Sequence, residues 1–445
     1  MSSSIPVSSV FFCLVVVSLF LMPPGLLAAA DKDQDREVTY RQLEIFANVL
    51  GMIQDNYVDA VDTKKVVDGA IHGLLYSLDP HSSYLEPDEF TELQEETEGA
   101  FTGIGIEVSV ENNQLIIISP IEGTPADRAG LMAKDVIVAI GKEKTDAMGA
   151  DEAIKRLRGP KGSKITISIS RSGWEEPKEF TLRRDTIPLH SVKAFFLAPG
   201  VIYARITNFQ ENTTDELKKA VADLGHGQKI SGMILDMRNN PGGLLNQAVS
   251  VSDVFLTAGA IVYTRGRTEE QNMQFSAHNS GDEPRYPLVI LVNEGTASAA
   301  EIVAGALQAH KRGILVGTRT FGKGSVQTII QLPEGAALRL TTARYFTPDN
   351  RSIQALGISP DVEVALASPE GDHQDADKEK SEKEKQVREA DLPQHLPGMA
   401  APPAPSPRLS DESRKSLEKD NQLQTALNIL KSLQLYSQSS QLRKD

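Results

Sequence analysis

The chain has 445 residues, is 40% apolar and 24% charged, and carries a formal net charge of −14 with a single cysteine. That charge argues against a nucleic-acid binder, whose phosphate contacts need a basic face, and against electrostatic adhesion to anionic lipid. One thiol, Cys13, can build neither a disulfide framework nor a thiolate zinc site. No cofactor and no metal is expected.

Val10 to Met22 is a nearly continuous apolar run, broken by Pro23-Pro24-Gly25 and followed by Ala28-Ala29-Ala30. This order reads as a secretory signal peptide over residues 1–30, cut after Ala30. The run before Pro23 is shorter than the roughly 20 residues that span a bilayer. An uncleaved anchor is the alternative, and it is the one membrane attachment expected. Either way the chain is expected to be exported to a bacterial periplasm or cell envelope.

Residues 31–98 read as helices, with Leu43, Phe46, Leu50, Ile53 and Tyr57 on one face and a second apolar stripe from Val66 to Leu75 after the cap Asp62. Within them, Leu78-Asp79-Pro80-His81-Ser82-Ser83-Tyr84-Leu85 is rich in turn formers. The spacing of Asp79, His81, Glu86 and Asp88 fits no strong metal motif, and the segment reads as a capped loop. Residues 99–185 suggest a small β-rich domain, with a strictly alternating strand from Lys164 to Arg171 and a helix from Asp151 to Arg158. Residues 186–365 alternate strands and helices, an α/β pattern. Residues 366–409 form an acidic, then Pro/Ala-rich linker that cannot bury a core. A last helix over 410–445 carries the stripe Leu423, Leu427, Leu430 and Leu433. After such a linker it is expected to dock on a partner subunit, making the protein a homo-oligomer.

Leu288 to Asn293 is a buried-strand pattern, and Ala299 to Leu307 a small-residue helix, so Ser298 falls where a strand turns into a helix N-terminus. The unpaired N–H groups there suit an anionic tetrahedral intermediate, although a plain N-cap serine would look the same. A serine nucleophile needs a base. His310 lies twelve residues along the same helix, on the order of 18 Å away, and no other histidine sits in a motif. A Gly-x-Ser-x-Gly elbow is absent, since Thr296 and Ala300 hold the glycine positions.

Lys323, between Gly322 and Gly324 and flanked by two apolar strands, is the other candidate base. Partial burial would favour its neutral amine, which can accept the serine proton. Gly317 to Lys323 imitates the start of a phosphate loop, but Gly324 stands where Ser or Thr is required and a strand follows instead of a helix. Gly103-x-Gly105 likewise fails as a dinucleotide fingerprint, because Val108 replaces the third glycine.

Thr296-Ala297-Ser298-Ala299-Ala300-Glu301, Phe321-Gly322-Lys323-Gly324 and Gln327 resemble the active-site motifs of the carboxyl-terminal processing peptidases, also called tail-specific proteases. Asp236-Met237-Arg238-Asn239-Asn240-Pro241-Gly242-Gly243 resembles the glycine-rich core motif of that family, Leu78 to Ser82 its N-terminal segment, and Gly103–Ile106 with Arg158-Gly159 its PDZ domain. The resemblance covers residues 36–365. It implies a crotonase-like α/β protease core with an inserted PDZ domain. It also implies Ser298 as nucleophile, Lys323 as general base and Gln327 as the residue that orients the lysine amine. Gly242, Gly243 and the Ala299 N–H are the expected oxyanion donors. The loop Gly103-Ile104-Gly105-Ile106 is the expected receptor for a peptide carboxylate, whose chain adds a strand to the sheet edge. Arg158, at the end of the PDZ helix, is the expected reader of a bound tail. The expected partners are proteins with apolar carboxyl-terminal tails and an adaptor lipoprotein. The alternative is a noncatalytic PDZ adaptor on a degenerate core; the presence of all three catalytic residue types speaks against it.

Overall fold

A computed structural model describes residues 24–111, 114–366 and 420–441. Residues 1–23 of the expected signal peptide, 367–409 of the expected linker and 410–419 of the expected last helix lie outside them. The chain forms two units, Met1–Leu74 and Leu75–Asp445.

The first unit holds helix α1 (Pro24–Asn56) and most of α2 (Thr63–Tyr76). Asp62 Oδ1 accepts the Lys65 N–H at 3.2 Å, the cap expected from the sequence. Leu43, Phe46, Ile53 and Tyr57 form the apolar stripe of this region, and all four are exposed in the monomer.

The second unit begins with β1 (Ser83–Leu85) and α3 (Pro87–Glu98). The β-rich domain follows: β2 (Ala100–Gly103), β3 (Ile106–Glu111), β4 (Gln114–Pro120), α4 (Pro125–Arg128), β5 (Val136–Ile140), β6 (Glu143–Lys144), α5 (Ala150–Leu157), β7 (Lys164–Ser170), β8 (Lys178–Arg183) and β9 (Asp185–Pro188). Its antiparallel sheet runs β3-β4-β5-β7-β8, with β6 on β5, so β3 is an edge strand. Ile117, Ile137, Ile167 and Ile169 alternate into the core and meet Ala153 and Leu157 from α5. Strands β2 and β9 pair from Ala100↔Pro188 to Gly103↔Asp185, so the chain enters and leaves the domain side by side.

The α/β core contains β10 (Val192–Ala198), β11 (Val201–Ile206), α6 (Thr213–Gly225), β12 (Gly232–Asp236), α7 (Leu245–Phe255), β13 (Ala260–Gly266), β14 (Met273–Ser276), β15 (Leu288–Val292), α8 (Ala299–Ala309), β16 (Ile314–Gly317), β17 (Ser325–Gln331), β18 (Ala337–Phe346) and β19 (Val362–Glu363). One sheet runs β10-β11-β12-β15-β16-β19 and is parallel from β11 onward. A second, antiparallel sheet runs β1-β18-β13-β14, with β17 also on β18. The expected α/β core with an inserted β-rich domain is therefore the architecture of this unit.

Both faces of the parallel sheet are apolar, as strands covered on two sides require. Met233, Leu235, Leu288, Ile290 and Val292 point to the face covered by α6, α7 and α8. Ile234, Val289 and Leu291 point to the other face, and there the last helix, α9 (Asn421–Gln441), packs with Ala426 and Leu430 fully buried. Gln422 Nε2 donates to Val364 O, Gln434 Nε2 donates to Ser231 O, and Asp420 pairs with Arg238 at 2.9 Å. This corrects the expectation that the helix docks on a partner subunit. Its stripe covers the chain's own sheet, whose second face would otherwise be bare.

Candidate active site

Ser298 caps α8 with φ 53° and ψ −115°, a backbone conformation that costs a non-glycine residue energy and persists only when its surroundings over-determine it. Those surroundings are specific. Thr296, fully buried, receives the Asn293 N–H on its hydroxyl at 2.9 Å and donates that hydroxyl to Met237 O at 2.8 Å. Ala297 N–H donates to Asn240 O, and Phe321 N–H to Thr296 O. The loop after β15 is thus tied to the glycine-rich motif on one side and to the lysine turn on the other.

The second tie runs through Glu301, which is 0% exposed and lies one turn into α8. Its Oε2 accepts the backbone N–H of Ser298 at 2.8 Å and of Lys323 at 2.9 Å. Its Oε1 accepts the Gly322 N–H at 2.8 Å and meets the Thr320 hydroxyl at 2.5 Å. Burial pushes the Glu301 carboxyl up to about 8, against four hydrogen bonds that favour the carboxylate. Of the four partners, only the Thr320 hydroxyl can reverse and accept, so the protonated carboxyl keeps a place for its hydrogen.

Gly242 lies against the nucleophile. A Cβ there would stand 2.8 Å from Ser298 Cβ and 3.0 Å from Ala299 N, so a side chain is excluded. Its φ of 106° also needs glycine. The Gly242 N–H, however, donates to Asn240 Oδ1 at 2.8 Å. Among the described residues, the Gly243 and Ala299 N–H groups meet no acceptor. Of the three expected oxyanion donors, the structure therefore leaves Gly243 and Ala299 available, and it ties up Gly242.

Lys323 is half-buried in the turn between β16 and β17, next to Gly324, whose N–H donates to the buried Gln354 Oε1. Gln327 is the third residue of β17, at a register shift against β18. Its Nε2 donates to Ser325 Oγ at 2.9 Å and approaches Thr341 Oγ1 at 3.4 Å. The nitrogen end of this amide faces those two hydroxyls. His310 ends α8 with Nε2 2.7 Å from Ala260 O, away from the serine.

Residues 200–364 match the model of peptidase family S41, 92–170 that of the PDZ domain, and 26–89 that of the activating protease CtpB N-terminal domain. A carboxy-terminal-processing protease of Bartonella bacilliformis is 43% identical over 348 residues, covering 78% of this chain and 80% of that protein. A carboxyl-terminal-processing protease of Synechocystis is 43% identical over 308 residues, covering 67% of this chain and 71% of that one. The chain belongs to peptidase family S41. Among solved structures, a photosystem II D1 C-terminal processing protease aligns at 30% identity with a TM-score of 0.42, over 72% of this chain and 92% of that one. The S41 chain is a serine-type carboxyl-terminal processing protease.

The PDZ domain of this S41 peptidase carries a groove of about 220 Å³ lined by Phe101, Gly103, Ile104, Gly105, Ile106, Val108, Ile154, Leu157 and Arg158. All four residues of the expected carboxylate loop are thus brought together beside the edge strand β3. Gly105 sits at φ 80°, and a Cβ there would strike Thr124 at 2.3 Å. Arg158 stands in the groove wall, with Nη1 3.1 Å from Glu95 Oε2 and its guanidinium 5.3 Å from the Phe101 ring centre. Glu95 belongs to α3, whose Thr97 O accepts the Glu211 N–H from the protease core.

Sequence reasoning gave Glu301, Asn240 and Thr341 no role and treated Asp79 as a loop cap. One signal was present: Glu301 follows Ser298 by three residues, the spacing of a capping box.

Proposed function

We propose that this S41 peptidase cleaves exported envelope proteins near their carboxyl termini, with Ser298 and Lys323 as its catalytic pair and the PDZ domain as receptor for the tail. The observation that carries the reading is the shared anchor of the two turns, Glu301 Oε2, which holds the serine and lysine backbones to one point.

Ser298 Oγ attacks the scissile carbonyl while the neutral Lys323 amine takes the hydroxyl proton. The oxyanion is received by the N–H groups of Ala299 and Gly243, the first of these at the positive end of α8. Lys323 then returns the proton to the departing amine. Water, deprotonated by the same amine, hydrolyses the acyl-enzyme. Gln327 presents its carbonyl oxygen to the lysine, since its nitrogen already faces Ser325 and Thr341. A neutral amide suits this place, because a carboxylate would hold the lysine protonated.

A substrate tail adds to β3, with its carboxylate on the Gly103–Ile106 loop and its last apolar side chain in the groove. Arg158 senses that tail: a carboxylate beside it competes with Glu95 and loosens the link through α3 to Glu211. Homo-oligomerisation, no longer supported by α9, is supported by the exposed stripe on α1.

The test compares wild type and Ser298→Ala on casein and on a tail peptide, with fluorophosphonate labelling of the serine. Cleavage and labelling that both depend on Ser298 support the reading. Equal turnover by the variant removes it.

A further inference from the structure

We infer that Asp79 is a positioning residue of the active site, acting through Thr341 on the amide of Gln327. The inference rests on the reading of Gln327 as the partner of Lys323.

Asp79 lies in the turn before β1 and is 4% exposed. Its Oδ1 accepts the N–H groups of His81 and Ser82, both at 2.8 Å, and its Oδ2 accepts the Ser82 hydroxyl at 2.8 Å. These bonds hold the carboxylate rigid. The pairing of β1 with β18, Ser83↔Arg339 to Leu85↔Ala337, then sets it beside Thr341. Ser82 Oγ accepts the Thr341 N–H at 3.1 Å, and Thr341 Oγ1 meets Asp79 Oδ1 at 3.1 Å.

The Thr341 hydroxyl donates to Oδ1 of Asp79, whose other bonds are all accepted ones. That leaves Thr341 Oγ1 with lone pairs alone for its other neighbour, the side-chain amide of Gln327. The neighbour must present a donor, and Gln327 does so with Nε2. The polarity of the chain is therefore fixed from one end. Asp79 orients the threonine hydroxyl, the hydroxyl orients the amide, and the amide keeps its accepting oxygen for the lysine four residues earlier. The Ser325 hydroxyl, 2.9 Å from the same nitrogen, can donate as well as accept, so with the Thr341 hydroxyl gone nothing fixes the polarity and the amide can turn its NH₂ group toward the amine, where it can accept nothing. A turn that merely closed the loop would need His81 and Ser82 as partners but not Thr341.

The experiment measures kcat and KM on a tail peptide for Thr341→Val, Thr341→Ser, Asp79→Ala, Gln327→Ala and the double variant Thr341→Val/Gln327→Ala. Denaturation midpoint and tail binding serve as controls for folding. Thr341→Val leaves the bonds inside the Asp79 turn intact. It is expected to lower kcat roughly tenfold with little change in KM, and Thr341→Ser to restore kcat to within about twofold. In the double variant the loss is expected to equal that of Gln327→Ala alone, because the two residues act as a unit. A wild-type kcat in Thr341→Val beside an impaired Gln327→Ala overturns the inference and leaves the role of Gln327 standing. A wild-type kcat in Gln327→Ala overturns both.

Discussion

The backbone N–H groups of Ser298 and Lys323 end on one atom, Oε2 of Glu301, at 2.8 and 2.9 Å. The strained turn of the serine and the glycine-flanked turn of the lysine therefore cannot move independently. This buried carboxylate ties together the two loops that carry the proposed nucleophile and base.

Ser298→Ala should abolish peptide cleavage and fluorophosphonate labelling while leaving the fold intact. Loss of a capping hydroxyl costs on the order of 1 kcal/mol, and alanine meets the same φ of 53° as serine. The check is turnover beside a melting curve. Ordinary turnover would mean that the nucleophile lies elsewhere.

Lys323→Arg should be as inactive as Lys323→Ala. A guanidinium keeps its proton throughout the working range and cannot accept one from a serine. A lysine that served only as a charge would tolerate the exchange. Hydrolysis of one peptide by the three proteins from pH 5 to 10 separates the two roles.

Glu301→Gln should destabilise the protein by about 1–3 kcal/mol, because the amide carries two hydrogens where the protonated carboxyl carries one, and of the four partners only the Thr320 hydroxyl can accept. The difference should depend on pH. In the unfolded chain Glu301 loses its proton near 4.5, in the folded chain near 8. Between these values the folded state binds more protons, so the stabilisation, complete below pH 4.5, is lost as pH rises through 8. Melting temperatures of both proteins from pH 4 to 9 should therefore converge upward in pH. Parallel curves would show that the carboxyl does not titrate in this window.

Arg158→Ala and Glu95→Ala should each make cleavage insensitive to added tail peptide, because they remove the two ends of the 3.1 Å pair between the groove and α3. The pair is partly exposed and adds little to stability, so folding should be unaffected. A response to tail peptide equal to that of wild type in both variants would sever Arg158 from regulation.

Leu430→Ala should lower stability by about 2–5 kcal/mol, the usual cost of emptying a fully buried leucine site, with affinity for tail peptides unchanged. Deleting residues 420–445 should be harsher, exposing Ile234, Val289 and Leu291 and leaving Arg238 without Asp420. Unaltered denaturation curves would show that α9 contributes nothing where it lies.

Much of this was legible in the amino-acid order. The alternation of Lys164–Arg171 and the all-apolar run Leu288–Val292 carried the two kinds of sheet, since burial on one face and burial on both leave different periods. The serine at a strand-to-helix turn and the lysine between glycines carried the site, because local backbone demands select those residues. What failed was information held by distant partners. The stripe of α9 named an apolar surface but not whose, and only the bare face of the sheet decides it. Gly242 and Gly243 looked equivalent until Asn240 claimed one of their N–H groups. Asp79 looked like a local cap because its local bonds are real; Thr341 is invisible from that end of the chain.

The pairing of β1 with β18 also sets a timetable for biosynthesis. Asp79 and Thr341 are 262 residues apart, which at translation rates of about 5–20 residues per second is roughly 13–50 s of synthesis. Throughout that interval a nascent chain holds β1 without its partner strand, while the PDZ domain between them is made first. A long-range ladder of this kind closes late and slowly, because it must bring together segments with a whole domain between them.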